Sequence, residues 1–164
     1  MARLLVVDDE PSICWALSRL GQGLGHEVVT ASSAEQALEL ASQQPPDAVV
    51  LDVRLPGMDG LTAMQHLRRQ SGELPIIIMT AYGDLNTAVE AVRQGAFEYL
   101  IKPFDLQAAE RAVRRALAGV GLVQTRQSQQ HGPVRRRLAD RPQRLDHLGQ
   151  RVIHRPHRHD HHVR

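Results

Sequence analysis

The 164-residue chain has one cysteine, one tryptophan and one lysine, and aromatic residues make up only 3% of it. The single thiol, Cys14, excludes an intramolecular disulfide and fits a reducing compartment. No apolar run approaches the roughly 20 residues needed to span a bilayer. A strand-like run follows Arg3 directly, without the charged, apolar and cleavage-site regions of a secretory leader. A cytoplasmic protein is the expectation. Charge of one sign is also scarce overall, at +2, but that balance conceals a split. Residues 1–120 carry 10 Lys+Arg against 15 Asp+Glu, whereas residues 121–164 carry 10 Arg against 3 Asp and hold seven of the nine histidines. The two stretches therefore need separate readings.

In residues 1–120, short apolar runs at Leu4–Val7, Val28–Thr30, Ala48–Leu51, Ile76–Met79 and Tyr99–Ile101 alternate with helical periodicities. Ile13, Leu17 and Leu20 recur at spacings of four and three, as do Leu61, Met64 and Leu67 in their segment, and Leu106, Ala109, Val113 and Leu117 continue the helical pattern in theirs. Five strands alternating with five helices predict an α/β domain with a doubly wound parallel sheet covered on both faces. The uninterrupted "AVVL" and "IIIM" runs fit strands buried on both sides. Helix boundaries are marked by Pro11 and Ser12 at one start and by Ser33 with Gln36 as a capping box. Asp59, Asp84 and Asp105 stand as N-caps, and Gly25 and Gly95 as helix ends. Residues 121–164, rich in Arg, His, Gln and Pro, are expected to form a mostly disordered basic tail.

Why do three acids, Asp8, Asp9 and Glu10, follow an ideal buried strand? In parallel α/β sheets, ligands sit beyond the carboxyl ends of the strands, where the strand order reverses. Asp8 and Asp9 follow the first strand, Asp52 ends the third, Thr80 ends the fourth and Lys102 follows the fifth. If strands one, three, four and five are neighbours, these side chains converge. Carboxylates from adjacent strand ends suit a hard divalent cation such as Mg²⁺, which offsets their repulsion and leaves one free to attack a phosphoryl group. Lys102 can pair with the phosphoryl charge and the Thr80 hydroxyl can donate to it.

"VVDDEPS", "LDVRLPGMDG", "MTAYGD" and "YLIKPF" together resemble the receiver domain of two-component response regulators, over about residues 2–120. The resemblance implies a flavodoxin-like sheet of order 2-1-3-4-5 and Asp52 as phosphoacceptor. It implies Mg²⁺ bound directly by Asp9, through water by Asp8, and by the Arg54 backbone carbonyl beside Asp52. Thr80 and Tyr99 match the switch pair and Lys102 the phosphate-binding lysine, with a cis Lys102–Pro103 bond. It further implies a sensor histidine kinase as donor. A changed face of the fourth helix, fifth strand and fifth helix would be the output, and that face is also a candidate homodimer contact. Phosphorylation and dephosphorylation are then self-directed, so the chain is not expected to be a dedicated enzyme.

"MTAYGDLNTAVEAVRQGAFEYLIKPFD" resembles more closely the regulators that activate the sigma-54 form of RNA polymerase. Those carry an ATPase and a DNA-binding domain after the receiver, and no G-x-x-x-x-G-K-[ST] loop occurs here. The tail's bias resembles out-of-frame translation of GC-rich coding sequence, which suggests truncation by frameshift. An intact reading frame at the locus, with no ATPase coding downstream, would count against that. A stand-alone receiver acting by protein contact fits the same residues.

Simpler readings stand beside these. Glu10 reads as helix-start charge rather than ligand, and Cys14 and Trp15 as core or helix surface. "GQGLG" at Gly21–Gly25 ends a helical pattern and fails the strand-to-helix context of a phosphate loop. Arg135–Arg137 invites nucleic-acid binding through counterion release, but no aromatic residue lies in the tail to stack on bases, so DNA contact is not expected. The tail histidines, including His154, His157 and His159, bind metal only opportunistically. An aspartyl-phosphate phosphohydrolase of the haloacid-dehalogenase type would need D-x-D-x-[TV]. Here Asp52 is followed by Val53 and Arg54, so the second aspartate is missing.

Overall fold

A computed structural model describes residues 1–119. The expected disorder of residues 121–164 lies outside the described residues. Ten elements alternate: β1 (Arg3–Val7), α1 (Pro11–Gly23), β2 (Glu27–Ala31), α2 (Ala34–Gln43), β3 (Ala48–Asp52), α3 (Gly60–Ser71), β4 (Ile76–Ala81), α4 (Leu85–Arg93), β5 (Glu98–Lys102) and α5 (Leu106–Ala118). All strand pairs are parallel, as the alternation of strands and helices predicts, and the sheet order is β2-β1-β3-β4-β5, as the family resemblance implies.

Strand alternation builds two cores. Leu5, Val7, Val49, Leu51, Ile76 and Ile78 point to the face covered by α2 and α3, against Ala37, Ala63, Met64 and Leu67. Leu4, Val6, Val50, Ile77 and Met79 point to the other face, against Leu17 of α1 and Ala109, Ala112 and Val113 of α5. Because both faces are covered, all five residues of β3 are buried, which is why its sequence is an apolar run rather than an alternation. The flanking strands β2 and β5 are only partly buried.

Three of the expected caps form. Ser33 Oγ accepts from the Gln36 amide, Asp59 Oδ1 from Thr62 at 2.8 Å, and Asp105 Oδ1 from Ala108. The capping box closes one residue early, since the Gln36 side chain accepts from the Ser32 amide rather than that of Ser33. Asp84 does not cap α4; its Oδ2 accepts from the Arg54 guanidinium instead. Pro11 opens α1, and Gly25 and Gly95 take positive φ just past their helices, at 85° and 101°. Gly60 is required where α3 meets β3: its N–H donates to the Val53 carbonyl at 2.8 Å, and a Cβ there would collide with the Asp52 carbonyl oxygen.

Candidate functional site: an acidic cluster at the carboxyl ends of the strands

The chain runs from β1 through α1 to β2 on one side and returns past β1 to β3, so β1 and β3 flank the point where strand order reverses. Asp8 and Asp9 emerge there from β1, and Asp52 is the last residue of β3. Asp8 and Asp52 are buried, at 1% and 5% exposure, whereas Asp9 is exposed. Carboxylate oxygens of Asp8, Asp9 and Asp52 all lie within 4.8 Å of one another.

Lys102, the last residue of β5, reaches across β4 into this cluster. Its Nζ donates to Asp8 Oδ2 at 2.7 Å and to Asp52 Oδ2 at 3.1 Å, and Glu10 Oε1 lies at 3.7 Å. The other carboxylate oxygens have backbone partners: Asp8 Oδ1 accepts from the Glu10 amide at 2.9 Å and Asp52 Oδ1 from the Arg54 amide at 3.3 Å. Burial, and next the neighbouring charge of Asp8, raise the Asp52 pKa above the ordinary carboxylate value despite the lysine. Burial alone would lower the Lys102 pKa, but its bonds to Asp8 and Asp52 outweigh that and raise it. The Lys102–Pro103 bond is cis.

One ammonium stands among Asp8, Asp9 and Asp52, with Glu10 at the margin, so at least two negative charges are left uncompensated. A divalent cation would match that remainder. Its ligand oxygens, about 2.1 Å from a common Mg²⁺, would lie within roughly 4.2 Å of each other, a spacing close to that of the acids here. The donor set is all oxygen, as a hard cation requires.

Thr80 lies one residue before the end of β4 and is 2% exposed. Among the described residues its Oγ1 is a buried side-chain polar atom with no hydrogen-bond partner. Such a group is costly unless something completes it. Tyr99, in β5, pairs with Ile78, and Thr80 pairs with Ile101. By alternation Thr80 and Tyr99 share the sheet face of Ile78, one diagonal step apart, and Tyr99 is 37% exposed.

Three contacts had no sequence signal because their partners are distant along the chain or lie in the backbone. Arg54 Nε and Nη2 bond Asp84 Oδ2 at 3.0 and 2.6 Å across 30 residues. Glu10, read as simple helix-start charge, also borders Lys102. The Cys14 thiol points at the Asp8 carbonyl at 3.3 Å, and burial followed by the Asp8 charge raises its pKa. Trp15 is helix surface rather than core, 68% exposed, with the Arg19 guanidinium 5.9 Å from its ring centroid. Among the described residues no helix is long and apolar enough to cross a membrane.

Known proteins match this arrangement. The profile of the response regulator receiver domain matches residues 4–114. The DNA-binding transcriptional regulator NtrC of Klebsiella pneumoniae is 40% identical over 135 residues, covering 82% of this chain and 28% of that protein. The regulatory protein AtoC of Escherichia coli K12 is 44% identical over 115 residues, covering 70% of this chain and 25% of its own length. The chain thus spans less than a third of the length of these curated relatives. Among solved structures, a response regulator receiver domain protein from Clostridium thermocellum superposes with a TM-score of 0.70 at 33% identity, covering 75% of this chain and 99% of that one. NtrX from Brucella abortus, in complex with ADP, gives a TM-score of 0.72 at 34% identity over 78% of this chain and 30% of its own. With that fold and these relatives of the NtrC type, the chain belongs to the response regulator receiver domain family, the phosphoryl-accepting modules of two-component systems.

Proposed function

We propose that Asp52 is the phosphoacceptor of this receiver and that a sensor histidine kinase is the donor. The observation that carries this reading is a buried, lysine-bonded Asp52 at the end of β3, with the Thr80 hydroxyl near the end of the adjacent strand β4 buried and, among the described residues, without a partner. A carboxylate oxygen of Asp52 attacks the phosphorus of a phosphohistidine. A P–O bond forms and the P–N bond breaks, and the imidazole nitrogen keeps the electron pair and takes up a proton. Lys102 is already hydrogen-bonded to the attacking carboxylate and can follow the charge from carboxylate to phosphoryl oxygen.

Asp9, Asp52 and the Arg54 carbonyl would hold Mg²⁺, with Asp8 acting through water, and the bound ion would neutralise phosphoryl and carboxylate charge. The Thr80 hydroxyl then gains a phosphoryl oxygen as acceptor. Its inward movement frees space on the face it shares with Tyr99, and the ring turns in. The exposed surface of α4, β5 and α5 changes shape as a result, which biases a two-state equilibrium and offers a contact for output or for a second copy of the chain. Chemistry is confined to the chain's own Asp52, so it is a signal receiver with self-directed phosphorylation and dephosphorylation.

Intact-mass spectrometry after incubation with Mg²⁺ and acetyl phosphate tests this reading. One added phosphoryl group is expected on the native chain. It should be absent from Asp52→Asn and absent without Mg²⁺. An adduct that survives in Asp52→Asn would place the acceptor elsewhere. Where no adduct accumulates, beryllofluoride binding distinguishes rapid hydrolysis from an inactive site.

A further inference from the structure

The start of α4 departs from a rule the other capped helices keep. Ser33, Asp59 and Asp105 precede α2, α3 and α5 with extended ψ angles of 160°, 162° and 153°, and each side chain accepts from the amide three residues on. Asp84 holds the same position before α4, and aspartate caps as well as serine does. Yet its ψ is 38° and its side chain makes no bond to the helix. Among the described residues, both hydrogen bonds to its side chain come from the Arg54 guanidinium and end on Oδ2. The Thr87 amide, counterpart of Gln36, Thr62 and Ala108, therefore has no side-chain cap.

Arg54 is tied to the acidic cluster at the same time, because its backbone N–H donates to Asp52 Oδ1. One residue thus connects the carboxylate at the end of β3 to the first turn of α4. The far end of α4 is also held from α3, by the Gln65–Gln94 side-chain bond at 2.8 Å and by Arg68 on the Gly95 carbonyl. A groove of about 670 Å³, bordered among others by Arg54, Leu55, Gln65, Thr87 and Gln94, lies between these clasps. Only Ala88 and Ala91 of α4 are fully buried, so little packing resists a shift of its first turn.

We infer that the Arg54–Asp84 ion pair is a latch that keeps the first turn of α4 uncapped, and that Arg54 is a positioning residue relaying changes at Asp52 to that turn. Asp84 has two exclusive uses. It pairs with Arg54 in the observed backbone conformation, or it rotates to extended ψ and caps Thr87. An exposed ion pair and an aspartate cap contribute similar free energies, so a small displacement of residue 54 moves the balance. This route to α4 does not pass through Thr80 or Tyr99. Its link to Asp52 rests on the reading of Asp52 as acceptor, whereas the competition between pairing and capping does not.

Amide hydrogen exchange on the full chain, followed by NMR in EDTA, tests the latch. Arg54→Met removes the guanidinium but keeps the residue's backbone N–H and carbonyl. Thr87 exchange should slow about fivefold, the effect of gaining one cap, and return to the native rate in Arg54→Met/Asp84→Ala. An unchanged Thr87 rate in Arg54→Met, or equal slowing in the double variant, would overturn the proposal. On the native chain with Mg²⁺ and beryllofluoride, the same slowing is expected. If beryllofluoride binds and the Thr87 rate does not change, the relay from Asp52 is refuted. If it does not bind, the acceptor reading fails instead, and the variant pair still decides the latch.

Discussion

Asp52 carries an energetic cost that the acceptor role proposed for it would require. It is buried beside Asp8, and these two influences raise its pKa although Lys102 touches it. A carboxyl whose folded pKa lies above its unfolded value binds its proton more tightly in the folded state. Its ionisation therefore removes stability as pH rises from the unfolded pKa through the folded one, and the loss is complete above the latter. Asp52→Asn abolishes that charge. In EDTA at neutral pH the variant should melt higher than the native chain, each kcal/mol relieved being worth roughly 4 °C for a domain of this size. The gap should close on acidification below the ordinary carboxylate range, as differential scanning calorimetry across pH would show. A native chain that melts at the same temperature or higher at neutral pH would mean the cluster carries no such cost.

Among the secondary-structure elements, the seat of α3 against β3 fixes where Asp52 stands. Gly60 brings the helix backbone against the Asp52 carbonyl, and Asp59 caps the same turn. Gly60→Ala should cost about 1–3 kcal/mol through forced displacement. By contrast, Gly23→Ala, at the end of α1 with open space around it, should be neutral or stabilising by up to about 1 kcal/mol. Urea titrations of the two variants make the comparison, and similar midpoints would remove the steric argument. Elements were readily legible in the sequence. Continuous apolar runs marked strands buried on both faces, and Ser33, Asp59 and Asp105 marked helix starts. Asp84 was not legible, because a cap depends on local geometry and its competitor, Arg54, is remote in sequence. The same reason hid the exposure of Trp15, whose helix face is set by what packs against α1.

For the whole domain, the surplus of negative charge at the ends of β1 and β3 would couple folding to the binding of a cation there. A ligand that binds only the folded state stabilises it by about 2.7 kcal/mol at a hundred times its dissociation constant. Mg²⁺ should accordingly raise the melting temperature of the native chain in a saturable manner. Asp9→Ala should reduce that rise strongly while leaving the metal-free melting temperature within a few degrees, since Asp9 is exposed. An equal rise in both proteins, seen by thermal-shift titration, would assign the effect to general ionic screening.

The residue order alone determined the class of fold, the strand order through its family resemblance, and the identities of the acids, the lysine and the hydroxyl at the strand ends. Those follow from local periodicity and from motifs at fixed spacing, which need no partner to be recognised. Tertiary structure alone decided that Lys102 bridges Asp8 and Asp52, that the Thr80 hydroxyl is buried without a partner among the described residues, and that Arg54 draws Asp84 away from α4. Each of these depends on distances between residues 30 to 94 positions apart, or on the packing that surrounds a single atom. Charge and hydrogen bonding act through space, so they are settled only once the sheet has brought its strand ends together.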